Sequence, residues 1–125
     1  VEYQANIQIE KPVIGVGFWT LSGQRFYGSN TQMDNVMDIG MEAGEKGYFI
    51  YDIEKIPFLT GEYQLEVAIE DLLTCEQLDY WLDALRFQVN SATREIGISK
   101  VEHKWIFEKI KEGAEDDGQH NINDN

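Results

Sequence analysis

The stretch VIGVGFWTLSGQRFYGS, residues 13–29, is the clearest β signal in the chain. Ile14, Val16 and Phe18 fall on one side at period two, and Gly15, Gly17 and Trp19 on the other, which is the alternation of a β-strand. Leu21-Ser22-Gly23-Gln24 reads as the turn of a hairpin leading into a second strand, RFYGS.

Working outward, VEYQANIQI alternates Val1, Tyr3, Ala5, Ile7 and Ile9 with Glu2, Gln4, Asn6 and Gln8, as expected of a strand with one wet face. Residues Thr31 to Lys46 show no convincing period and are expected to form a long loop, with one short strand around Val36 to Ile39. GYFIYDIEKIPFL is rich in aromatic and branched residues and reads as a strand stopped by Pro57. After a turn at Thr60-Gly61, the next strand turns Tyr63, Leu65, Val67 and Ile69 inward and Glu62, Gln64, Glu66 and Glu70 outward. These two strands are expected to be antiparallel neighbours.

The segment DLLTCEQLDYWLDAL, residues 71–85, breaks the pattern. Leu78, Trp81, Leu82 and Leu85 stand at helical spacings, and Thr74 with Gln77 resembles a capping pair, so local propensity predicts a helix of at most about three turns. ALRFQV then alternates as a strand, and IGISKVEHKWIF supplies a last one with Val101, His103, Trp105 and Phe107 on one side. From Glu108 the chain is charged and Asn-rich, and residues 108–125 are expected to be a disordered acidic tail after a domain spanning 1–107. About seven or eight short strands predict an all-β, antiparallel β-sandwich. Jelly-roll and immunoglobulin-like orders are both open on pattern alone.

Composition narrows the chemistry. A formal charge of −13, with 23 acids against 10 scattered bases, argues against nucleic acid and anionic lipid as partners. No apolar run approaches the ~20 residues of a membrane span. The first residue is Val rather than Met, so a piece of a longer polypeptide is expected. Cys75 is the only cysteine, which rules out an internal disulfide and is compatible with a reducing compartment.

No nucleophile, phosphate-loop or metal-protease pattern occurs, and His103 is expected to pack beside Trp105 as an ordinary strand residue. Glu62, Glu66 and Glu70 follow one another along a strand instead of facing across a cleft, so they read as a solvated face rather than a glycosidase pair. Asp34, Asp38, Glu42 and Glu45 match no calcium-loop spacing. No catalytic residue, metal or cofactor is expected.

Surface recognition remains. Sugars present hydroxyls to amides and Arg, and apolar C–H faces to aromatic rings. Trp19, flanked on its face by the side-chain-free Gly15 and Gly17, is a candidate platform, with Gln4, Asn6, Gln8, Arg86 and Gln88 as candidate hydroxyl partners. The same pattern also fits Trp19 as a core residue and the amides as ordinary solvated positions.

The order of the motifs resembles the carboxy-terminal domain of Wzt, the ATPase subunit of ABC transporters that export O-antigen polysaccharide. The resemblance rests on Pro12, Val13 and Gly15; on Gly23, Asn30 and Thr31; on Phe58, Gly61 and Tyr63; and on Phe87 and Val89, across residues 1–107. It implies a β-sandwich that binds O-polysaccharide in the cytoplasm, at the inner face of the inner membrane, and a homodimer that exchanges the last strand, about Gly97 to Phe107. It also implies an ATPase domain and a membrane subunit as partners in the full-length protein, and no catalysis here. Gly23 and Asn30-Thr31 are then turn and strand-end devices, Arg25 and Tyr27 join the candidate carbohydrate surface, and the loop 32–46 is an insertion or a specificity element. An immunoglobulin-like protein-interaction or adhesin module is the alternative.

Overall fold

The computed structural model describes residues 1–110. Six strands form, all of them antiparallel: β1 Glu2–Gln4, β2 Pro12–Thr20, β3 Arg25–Asn30, β4 Lys46–Tyr48, β5 Gly61–Asp71 and β6 Glu76–Val89. A four-stranded sheet in the order β3-β2-β5-β6 faces a two-stranded sheet of β1 and β4, giving the β-sandwich. No described residue is helical.

The opening hairpin forms as its sequence dictates. Gly23, at φ +98°, closes the turn while the Thr20 N–H donates to the Gln24 carbonyl at 2.9 Å, a conformation glycine reaches without a Cβ clash. At the other end the Ile14 N–H donates to Thr31 Oγ1 at 3.1 Å and the Met33 N–H to Asn30 Oδ1 at 2.7 Å. Asn30 and Thr31 therefore end the strand as expected.

The inner face of β2 divides the core in two. Ile14 packs with Ala5, Ile9 and Met41 in an aliphatic cluster. Phe18 meets Phe26, Phe58 and Phe87 at centroid distances of 6.5, 5.1 and 6.1 Å. The Phe58–Gly61–Tyr63 motif is one hydrogen-bonded corner: the Tyr63 ring lies 5.2 Å from Phe58, and its hydroxyl donates to the Leu59 carbonyl at 2.6 Å.

Several expectations are corrected. Residues 47–59 are not one strand beside β5. Only Lys46–Tyr48 is strand, and it pairs with β1, because β2 and β6 already take both edges of β5. Beyond it the chain leaves the sheet, with Ile50 82% exposed, until Phe58 bridges Ser99. The first segment bends at Asn6-Ile7, so Ile7 is exposed while Ala5 and Ile9 stay buried. In place of a strand at 36–39, Met41 bridges Ile9.

The expected helix over 71–85 is largely β6. Leu65 faces Leu85 but Val67 faces Trp81, and Ile69 faces Asp79 but Glu70 faces Gln77, so β6 bulges twice. Extra residues in a strand break period two. The resulting spacing of Leu78, Trp81, Leu82 and Leu85 imitates a helix. Thr74 receives the Glu76 N–H at 3.3 Å, and Cys75, at φ +58°, turns the chain.

The last segment pairs only briefly: the Leu59 N–H donates to the Ile98 carbonyl and the Lys100 N–H to the Pro57 carbonyl. From Val101 to Ile110 every residue is exposed and no strand forms. His103 does lie against Trp105, with ring centroids 6.2 Å apart. The tail expected from Glu108 falls mostly outside the described residues.

Tyr63→Phe keeps the ring but leaves the buried Leu59 carbonyl without its donor. Urea unfolding is expected to show a loss of about 1–3 kcal/mol; an unchanged midpoint would mean that the corner contributes packing alone.

Candidate functional site

The outer face of the large sheet is set out in cross-strand rows. Arg25, Trp19, Gln64 and Arg86 stand opposite one another in the first; Gly28, Gly17 and Glu66 form the second; Asn30, Gly15, Ala68 and Tyr80 form the third. Arg25 reaches this face through a bulge: β3 carries one extra residue between the pairs Phe18–Tyr27 and Trp19–Arg25. That residue, Phe26, enters the aromatic core instead, 5.0 Å from Phe58. Bulges re-aim side chains in this way.

Glu66, expected on a solvated face, is 5% exposed and is the one buried charged residue among those described. Its carboxylate occupies the space that Gly17 leaves, where a Cβ would lie 2.2 Å from Glu66 Oε1. Arg25 Nη2 donates to Glu66 Oε2 at 2.8 Å, and the Tyr80 hydroxyl donates to the same oxygen. The Arg25 guanidinium also lies over the Trp19 ring, 5.1 Å from its centroid.

Burial pushes the Glu66 carboxyl up, but the Tyr80 and Arg25 hydrogen bonds, the nearby Trp19 indole and the Arg25 charge outweigh it and hold it below the ordinary value. The Tyr80 phenol is raised, first by its bond to Glu66.

Trp19 is accordingly half-buried under Arg25, and its buried Nε1 has no hydrogen-bond partner. The open space lies one row further along. A groove of about 400 Å³ runs over Gly15, Gly28 and Ala68, with Arg25 and Tyr80 on its walls and Asn30, Gln77 and Glu70 at its rim. Of the residues expected in a site, Arg25 borders this groove and Trp19 lies beneath Arg25.

The others are elsewhere. Arg86 and Gln88 border a shallow hollow of about 260 Å³, and Arg86 is tied to Asp83 at 3.1 Å. Gln4 and Asn6 line a cleft of about 460 Å³ between the first segment and β6. Gln8 is exposed beside the bend. Tyr27 faces Phe18, on the opposite side of the sheet from Arg25, with ring centroids 6.2 Å apart.

Sequence reasoning missed Glu66 and Tyr80, the first because it alternates with the inward residues and the second because it lay in the expected helix. The available signal was two glycines beside a Trp on one strand. It marked a place where something approaches closely, without saying that the visitor is Glu66.

The family model of the Wzt C-terminal domain matches residues 1–101. The chain belongs to that family. A solved crystal structure of the C-terminal domain of Wzt superimposes with a TM-score of 0.73 at 18% identity, which shows the shared fold. The match covers 86% of this chain and 66% of that one, just short of two thirds. No curated protein sequence matches the chain. All the Wzt-like motifs quoted above fall inside the matched residues, and the structure gives the Phe58–Gly61–Tyr63 corner and the Asn30-Thr31 strand end local mechanical roles.

Because the folded Glu66 carboxyl titrates below its unfolded value of ~4.3, its contribution to stability is complete above that pH and is lost as pH falls through the folded value. Glu66→Gln is expected to cost roughly 1–3 kcal/mol at pH 7. The gap to wild type should narrow below pH ~4.3; a gap independent of pH would assign the loss to packing.

Proposed function

We propose that this domain is a non-catalytic carbohydrate-binding module that recognises O-antigen polysaccharide in the cytoplasm for export by an ABC transporter. The ATPase domain and the membrane subunit would be its partners in the full-length protein, holding it at the inner face of the inner membrane. Membership of the Wzt C-terminal domain family supports this setting. The observation that carries the binding reading is the groove over Gly15, Gly28 and Ala68, whose floor carries no bulky side chain and which is bordered by Arg25 and Tyr80 where they meet over Glu66. Such a floor lets the apolar face of a sugar ring approach the sheet, while the Arg and amide donors at the wall and rim meet its hydroxyls.

A non-catalytic role agrees with the state of the carboxylates. Glu66 is held ionised by Tyr80 and Arg25. A glycosidase needs a second carboxyl kept protonated across the cleft to act as an acid. The Glu70 carboxylate at the rim stands on the same strand as Glu66.

The cheapest test is a titration with the native O-polysaccharide, followed by tryptophan fluorescence. A Cβ at Gly15 meets nothing closer than 3.7 Å, so Gly15→Val is expected to fold and to weaken binding at least about tenfold, or 1.4 kcal/mol. Unchanged affinity in the folded variant would remove the groove from the site.

The last segment supports an assembly reading. Trp105 and Phe107 are 58% and 76% exposed, and β6 leaves Leu82, Leu85 and the cleft-lining Trp81 exposed. These apolar surfaces support a homodimer in which residues 97–107 of each copy pack on the other, strand exchange being a low-cost route to a symmetric pair. They also favour the competing reading, a surface for a different protein. Light scattering at tens of micromolar is expected to give twice the chain mass; a monomer alone would favour the competitor.

A further inference from the structure

We propose that the groove over Gly15 selects an uncharged sugar residue, and that Glu66 is the positioning residue that sets this preference. The inference rests on the glycan-binding reading and deepens it.

The charges at the groove are few and can be followed individually. Arg25 is the one cation among its lining residues, and Glu66 and Glu70 are the anions. The Arg25 charge is already matched by the buried Glu66 carboxylate at 2.8 Å. Glu70 is exposed and forms no ion pair among the described residues. A uronate or a phosphorylated sugar would therefore approach one neutralised cation and one free carboxylate, on a chain whose formal charge is −13. Like charges brought together at an interface disfavour binding.

The donors and acceptors suit a neutral ring. Glu66 takes one Nη2 hydrogen of Arg25 and the Tyr80 hydroxyl proton. Arg25 has further N–H donors, and the Tyr80 oxygen, having given its proton inward, can receive a hydroxyl. Sugar hydroxyls supply both roles at once, whereas a carboxylate only accepts.

Burying this charge cluster is not explained by stability. Replacing a buried ion pair with apolar residues is often neutral or stabilising. What the cluster does provide is a fixed direction for two side chains that are themselves half or nearly half exposed, Arg25 at 53% and Tyr80 at 40%.

The test uses the whole chain and monosaccharides as probes: mannose, galactose and N-acetylglucosamine against glucuronate and galacturonate. Binding is read from the backbone amide signals of Gly15, Gly28 and Ala68. At least one neutral sugar is expected to move those signals, and the uronates are expected to bind at least about tenfold more weakly.

Glu66→Gln should narrow the gap by freeing the Arg25 charge. Uronate binding then strengthens severalfold and falls again as salt is added, a change that a purely structural role for Glu66 would not produce. Glu70→Gln, an exposed change without risk to folding, should relax the discrimination in the same direction and stands in if Glu66→Gln unfolds.

Uronates binding as tightly as the neutral sugars, or a preference unmoved in both variants, overturns the inference while leaving the groove a glycan site. No response to any of the five sugars overturns the inference, and the glycan-binding reading falls with it only if the native O-polysaccharide also leaves the Gly15, Gly28 and Ala68 signals unmoved.

Discussion

A single carboxylate organises the outer face of this sandwich. Glu66 is the one buried charge among the described residues, and it is accommodated because Gly17, directly opposite on β2, has no side chain. An ionised group removed from water needs partners that replace its hydration. Arg25 from β3 and Tyr80 from β6 supply them. One residue thereby ties both edge strands of the four-stranded sheet to its centre. The bulge that turns Arg25 outward also sends Phe26 inward, so the same irregularity serves the charged cluster and the aromatic core.

The inner face follows a different logic. Its cohesion comes from apolar area and from ring-to-ring contact around Phe18, with Tyr63 pinning the chain to the Leu59 carbonyl at the corner. Aromatic pairs at such distances contribute ~0.5–1.5 kcal/mol beyond the area they bury. Among the described residues the opposing layer is thin, being β1 and β4. That leaves a cleft lined in part by Trp81 of β6, and Leu82 and Leu85 exposed further along the same strand. The described chain is thus well closed on the Phe18 side and open toward β6.

A groove built on the centre of a sheet has a consequence for recognition. Its floor residues Gly15 and Ala68 are held by ladder hydrogen bonds on both sides, and its wall residues are held by a shared carboxylate. Little conformational freedom would be lost if a ligand bound there, and that loss is a main cost of binding. The shape of the groove is therefore largely fixed by the sheet itself.

The strand character of residues 13–29, the turn at Gly23, the strand end at Asn30-Thr31, the alternation of β5 and, through the spacing of the motifs, the family were all legible along the chain. All of these are local: turn chemistry, period-two patterning and short motifs depend on neighbours along the chain. The tertiary structure decided the rest. It paired residues 46–48 with β1, because the edges of β5 were already taken. It made a twice-bulged strand of Glu76–Val89, whose spacing alone reads as helix. Above all it set Glu66 against Gly17. Register between strands far apart in sequence is chosen by packing across the sheet, and no pattern within either strand records it.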